Sequence, residues 1–167
     1  MLLKQVQHKV LCQDITNIGK LEMSVENDLI LAQNDFSIFE QLPIQFQSQV
    51  PSMIKQLYFP LEAFLDHEHI LKVIRDCFMN WNEETCGIVV NRKWYKAENI
   101  ASNPTENFIL DDKVWIGVQL LGKPSAIIHT HPIGSAKASK LDLIQQKHFN
   151  IPFIIISLEN CDLEIYS

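Results

Sequence analysis

Two histidines and a downstream aspartate carry the most chemistry in this sequence. They stand in the string His129-Thr-His131-Pro132-Ile-Gly134-Ser-Ala-Lys-Ala-Ser139-Lys-Leu-Asp142. On a strand, residues two apart point to the same side, so both imidazoles can face one point. Pro132 and Gly134 break the strand and turn the chain back. Asp142 falls in the first turn of the helix that follows, where its carboxylate can come under the rings. Two nitrogens and one oxygen are three protein ligands, the number a catalytic zinc uses while keeping a fourth position for water. Zinc brings that water's pKa toward neutrality. A nearby base must then take the proton. Glu84, just ahead of the apolar run Thr85-Cys-Gly-Ile-Val-Val90, is the best candidate. Ser139 can offer a hydroxyl to the oxyanion formed when water attacks a carbonyl, a contact worth about 3 kcal/mol of barrier.

The elements that must position these groups are legible in outline. Leu61, Phe64, Leu65, Leu71, Ile74 and Phe78 recur at three- and four-residue steps. They predict one helix opening after Pro60 and ending near Trp81. Thr85–Val90 reads as a buried strand, Asn91-Arg92-Lys93 as a turn, and Trp94–Ala97 as a second strand. Asp111 and Asp112 can cap a helix running to about Leu121, with Gly122 at its stop. Ser125–His131 is the histidine strand. A helix starts at Ser139, Phe153–Ser157 is a late buried strand, and Asp162–Tyr166 closes the chain. The expected class is α/β (α+β), a mixed sheet flanked by helices. Residues 1–59 are rich in Gln, Asn, Ile, Val and Phe. Alternating runs at Lys20–Val25 and Asp28–Leu31, with prolines at 43, 51 and 60, predict a small β-rich module there. The expected domains are therefore 1–59 and 60–167.

The string His-x-His-Pro-x-Gly, four residues, then Ser-x-x-Asp, with an upstream Glu-x-x-Gly, resembles the JAMM motif of the MPN-plus (JAB) metalloprotease family. The resemblance covers roughly residues 66 to 166. It implies a JAB/MPN-like fold and a zinc-dependent peptidase or isopeptidase. By that likeness His129, His131 and Asp142 are the metal ligands, Glu84 the catalytic base and Ser139 the oxyanion serine. Two departures stand out. Many members carry a proline before the motif serine, where this chain has Ala138. Only 45 residues separate Glu84 from His129, which points to a minimal prokaryotic or viral type. The segment Glu98-Asn-Ile-Ala-Ser-Asn-Pro-Thr-Glu-Asn-Phe108, followed by Asp111-Asp112, is similar to the JAB domain of tail assembly proteins from long-tailed phages. In those proteins a cell-wall hydrolase domain usually follows; the expectation is that this chain, ending at Ser167, lacks it.

Each residue also has a plainer reading. Ser139-x-x-Asp142 is close to a helix capping box. Glu83 is as good a carboxylate as Glu84, and only the spacing to Gly87 prefers the latter. Cys86 reads as a small buried hydrophobe rather than a ligand. So do Cys12, Cys77 and Cys161, which show no paired spacing. His67-Glu-His69 repeats the His-x-His pattern but lies in a helical stretch, where it predicts a solvated surface. Trp81, Trp94 and Trp115 default to core or hairpin packing.

The bulk numbers exclude some partners. Of 167 residues, 47% are apolar and 20% charged, so a real core is within reach. The net charge is −6 with no basic run, which argues against nucleic acid and anionic membranes. No apolar run approaches the roughly 18 residues of a membrane span. The start, Met1 to His8, is broken by polar residues too early for a secretory signal. The expected partner is a protein or peptide substrate, either a phage tail protein or the tail of a ubiquitin-like modifier. The expected location is the cytoplasm of a bacterial or phage-infected cell, or the virion. The competing expectation is a non-catalytic scaffold of the MPN type.

Overall fold

The computed structural model describes residues 36–167. The runs at 20–25 and 28–31, and Cys12, lie outside the described residues. The fold is mixed α+β, built on one five-stranded sheet of order β2-β1-β3-β4-β5. The strands are β1 (Cys86–Val90), β2 (Lys93–Ala97), β3 (Pro124–His131), β4 (Phe153–Ser157) and β5 (Asp162–Tyr166). The β3–β4 pair is parallel and all others are antiparallel.

Residues 36–59 are helical where the sequence reading expects a β-rich module. A 3-10 turn (Phe36–Phe39) leads to the single turn α1 (Ile44–Gln47) and to α2 (Val50–Glu62). Helix α2 runs straight across the expected 59/60 boundary. Its buried residues Val50, Met53, Ile54, Leu57, Tyr58 and Leu61 have helical spacing. The prolines obscure that pattern without opposing it. Pro43 precedes α1, Pro51 lies in the first turn of α2, and Pro60 falls near its end.

The single helix expected over 61–81 is two. Helix α3 (His67–Met79) follows a break at 63–66. The break is filled from the β1–β2 hairpin, where Asn91 (φ 51°) and Arg92 (φ 63°) form a left-handed tip. Arg92 donates to the carbonyls of Glu62 (3.0 Å) and Leu65 (2.7 Å) and to Asp66 Oδ1 (2.7 Å). Its own carbonyl accepts from the Asp66 amide at 3.0 Å. Backbone groups released at the break are thus satisfied. His67 and His69 are half-buried anchors rather than a solvated surface. His67 Nδ1 meets Tyr58 Oη on α2 at 2.7 Å, and His69 Nδ1 accepts from the Trp94 amide at 3.2 Å. Two residues apart on a helix, they serve different neighbours.

Helices α2 and α3 pack on each other, and α3 also meets β2. Helix α4 (Asp112–Gln119) lies against β1 and β2. Helix α5 (Lys140–Phe149) links the parallel strands β3 and β4. One core cluster joins Cys86, Ile88, Ile127, Phe108 and Phe153, with Trp115 and Phe149 packed against it. Alternate strand residues Val89, Ala126, Ile128, Ile154 and Ile156 are as fully buried and point to the opposite face. Both faces of the central strands are therefore covered, which is why these strands read as unbroken apolar runs. Cys77 and Cys86 are buried and unpaired, and burial pushes the Cys86 thiol up to about 12.

Gly87 is required by packing. A Cβ there would lie 2.4 Å from the Trp94 indole and 2.5 Å from the Tyr95 carbonyl oxygen. The indole is itself pinned, its Nε1 donating to Asp76 Oδ2 at 3.0 Å. Gly87→Ala is expected to lower stability by about 2 kcal/mol or more, as overpacking against backbone does. Gly117→Ala, on α4 with nothing within 4 Å of a new Cβ, is expected to raise it by about 0.5–1 kcal/mol. Urea titration of both variants measures the contrast.

Candidate metal centre

The site forms where β3 ends. His129 and His131 project to the same face, and α5 returns Asp142 beneath them. One ligand atom from each residue lies within 4.8 Å of the others. Asp142 Oδ1 is 3.2 Å from His129 Nε2, and Oδ2 is 3.5 Å from His131 Nε2. The carboxylate bridges the two rings.

The helix start places Asp142. Ser139 is the N-cap of α5; its Oγ accepts from the Asp142 amide at 3.1 Å. Its own amide donates to Asp142 Oδ2 at 2.6 Å. This is a complete capping box. The plain reading of Ser139 and Asp142 and the ligand reading are thus compatible. One carboxylate caps the helix and faces the histidines.

The rings are held differently. His131 Nδ1 donates to the Ser135 carbonyl at 3.0 Å, which fixes the tautomer and leaves the Nε2 lone pair toward Asp142. His129 is fully buried, stacked on Phe108 with centroids 4.3 Å apart and edge-on to Phe153. Neither His129 nitrogen has a hydrogen-bond partner among the described residues. The 3.2 Å approach of Asp142 is close enough for an ion pair but off the line of a ring N–H. A buried imidazole without a partner is costly unless something else takes its lone pair. A cation shared with His131 and Asp142 is such a group. The donor set of two nitrogens and one oxygen suits zinc with an open position, so the residues fit the ion.

Glu84 enters from β1. Strands β1 and β3 pair antiparallel with Cys86 opposite His129. Thr85 extends the pairing: its carbonyl accepts from the Thr130 amide at 2.9 Å, and its amide donates to Thr130 Oγ1 at 2.8 Å. One step further, the register sets Glu84 across from His131. Glu84 is buried, 5% exposed, whereas Glu83 is open to solvent. Of the two adjacent carboxylates, the structure turns Glu84 inward. Burial pushes its carboxyl up to about 7, opposed by His131 and reinforced by Asp142. Burial also lowers His129, against the pull of Asp142. His131 lies above its ordinary value: burial opposes the charge, but the Asp142 carboxylate and the Ser135 carbonyl, which favour the protonated ring, outweigh it. Asp142 is held well below the carboxylate range; burial raises it, but the two histidines and Ser139 more than compensate.

Several positioning groups escape the sequence reading. Asn99 donates to the Glu84 and Asn107 carbonyls, both at 2.9 Å, and accepts from the Ala101 and Ile109 amides, both at 3.1 Å. It ties the 98–110 loop to the main chain at Glu84. The Glu84 amide donates to the Pro104 carbonyl at 2.6 Å. Phe108 lies in the segment quoted above for its phage likeness, but nothing in its spacing announces a ring over His129. Cys86 is buried and not among the converging atoms.

Comparisons with known proteins add a direction. No family model matches the chain. It is 30% identical over 84 residues to tail tip assembly protein K of Escherichia phage N15. That match spans 48% of this chain and 35% of the phage protein, so the chain covers about a third of that protein's length. A protein of Desulfitobacterium hafniense solved in solution superposes with a TM-score of 0.46 at 18% identity. That match spans 60% of this chain and 79% of the other.

Two pH effects follow. A raised carboxyl pKa means that the metal-free fold loses stability as pH climbs from about 4.5 to about 7, where Glu84 ionises only when unfolded. Glu84→Gln is therefore expected to stabilise the metal-free protein at about pH 8. The gain is expected to be on the order of 1 kcal/mol. No gain is expected at about pH 4. Thermal melts at the two pH values check it. Separately, protons compete with the ion for His131, so zinc affinity is expected to weaken from about pH 8 to about pH 6 by calorimetric titration.

Proposed function

We propose that this protein is a zinc-dependent peptidase or isopeptidase of the JAMM type that acts on a protein partner during phage tail assembly. The convergence of His129, His131 and Asp142 around one point, with a buried carboxyl at Glu84 beside them, is the observation that carries the reading. The similarity to a tail tip assembly protein supports the biological setting.

His129, His131 and Asp142 hold the ion. When bound, zinc supplies a Lewis acid that brings a water's pKa toward neutrality and polarises a carbonyl. Glu84 takes the proton from the attacking water at its carboxylate and delivers it to the leaving amine. A carboxyl whose pKa lies near 7 is matched to both halves of that transfer. Ser139 is exposed, and its Oγ already accepts from the Asp142 amide. Its hydroxyl hydrogen can therefore be donated to the carbonyl oxygen as negative charge develops there. The stacked Phe108 and the apolar floor of Phe153 exclude water behind His129, which strengthens each of these interactions.

A non-catalytic scaffold is the second reading, favoured by the same similarity to an assembly protein. Metal content separates the two. Elemental analysis is expected to find near-stoichiometric zinc in the wild type and in Glu84→Gln, and none in His131→Ala. Co-incubation with tail-tip proteins, followed by mass spectrometry, is expected to show cleavage that drops at least about 100-fold in Glu84→Gln. A wild type that takes up no zinc when it is supplied in excess leaves the scaffold reading in its place.

A further inference from the structure

The loop from His131 to Ser139 carries one ligand and the serine and leads into the helix that bears Asp142, yet little of it is buried. It is gripped from outside by the β4–β5 hairpin. Ser157 Oγ donates to the Gly134 carbonyl at 2.6 Å. Glu159 Oε2 accepts from the Gly134 amide at 2.6 Å. The Leu158 amide donates to the His131 carbonyl at 3.0 Å. At the other end of the loop, Tyr166 Oη accepts from the Ala138 amide at 2.9 Å. The same hydroxyl donates to the Glu164 carboxylate. Ala138 is the residue before Ser139, whose amide holds Asp142 Oδ2. A continuous path therefore runs from Glu164 through Tyr166, Ala138 and Ser139 to the bridging carboxylate.

We propose that Tyr166 is a positioning residue for the metal centre: its hydroxyl clamps the backbone at Ala138, fixes the start of α5, and so sets the angle at which Asp142 meets the two histidines. The proposal rests on the metal-site reading above and extends it to a residue at the far edge of the sheet. The bond exists because position 138 is an alanine with a free N–H; a proline there has none to give. Glu164 makes the clamp directional. By accepting the phenol's O–H hydrogen bond it turns the oxygen's lone pairs toward Ala138, and a charge-assisted acceptor holds that orientation firmly. Burial raises the Tyr166 phenol and the bond to Glu164 adds to the rise, so the hydroxyl stays protonated and the relay intact through the neutral range. Groups behind a ligand commonly change metal affinity by 10–100-fold when removed.

Tyr166→Phe removes the hydroxyl alone and keeps the ring against the core cluster. It is expected to weaken zinc binding about 10-fold in a chelator competition, with the melting point of the metal-free protein nearly unchanged. In an Ala138→Pro background, where the donor is gone, the same change is expected to alter affinity less than about 2-fold. Hydrogen exchange on the metal-free protein gives a readout independent of the ion: the Ala138 amide is expected to exchange at least about 10-fold faster in Tyr166→Phe. Unchanged exchange overturns the clamp whatever zinc does. Faster exchange with unchanged zinc affinity overturns its role at the metal centre. An equal loss of affinity in both backgrounds assigns Tyr166 an effect that does not pass through Ala138, and likewise overturns the proposal. If exchange quickens but the wild type binds no zinc, the clamp on the loop stands and the metallopeptidase reading falls.

Discussion

One carboxylate organises this molecule's chemistry. Asp142 lies under two imidazoles and at the same time closes the first turn of α5. Neither role is cheap in a buried setting. A carboxylate taken from water must recover its lost solvation through donors and opposite charge. Here the Ser139 amide supplies a donor and His131, whose pKa is raised, supplies opposite charge, and the position of the helix follows. Since α5 links the parallel strands β3 and β4, the seat of Asp142 is tied to the centre of the sheet.

The surroundings are divided between rigid and exposed parts. His129 is packed between Phe108 and Phe153 inside the core. His131 is oriented by a backbone carbonyl on the loop it belongs to. Glu84 is held through its main chain by Asn99 and Pro104, which leaves its carboxyl unencumbered. A carboxyl fixed by its backbone and free at its acid end can exchange a proton without breaking a structural bond. Most of the loop after His131, and Ser139 with it, is exposed.

The same arrangement stores a cost. Glu84, His129 and Asp142 are buried polar groups gathered at one site in a largely apolar core. Burial pushes the Glu84 carboxyl and the His129 ring toward their neutral forms, while Asp142 stays ionised. Paired groups whose environments drive their protonation apart are a mark of functional sites. A protein selected only for stability would fill this corner with apolar side chains.

Much of this was legible in the residues. Period-two spacing at His129 and His131, the turn residues Pro132 and Gly134, and the capping pattern at Ser139 and Asp142 are local signals, and local geometry alone fixes what they can do. All five strands and the helices at 112–119 and 140–149 follow from the same short-range rules. What failed was local ambiguity: prolines at 51 and 60 look like breakers but lie within the first and last turns of one helix, and a helical stripe from Leu61 to Phe78 cannot reveal a break stitched by Arg92 from a distant hairpin. The choice of Glu84 over Glu83 needed β1 laid beside β3, because burial, not residue type, separates two adjacent glutamates. Phe108 reaches His129, Asn99 reaches Glu84 and Tyr166 reaches Ala138 across gaps of up to 28 residues. Sequence by itself determined which groups could converge on a cation; only the tertiary structure decided which of them meet, because those contacts depend on strand register and the return of the chain, and no periodicity encodes either.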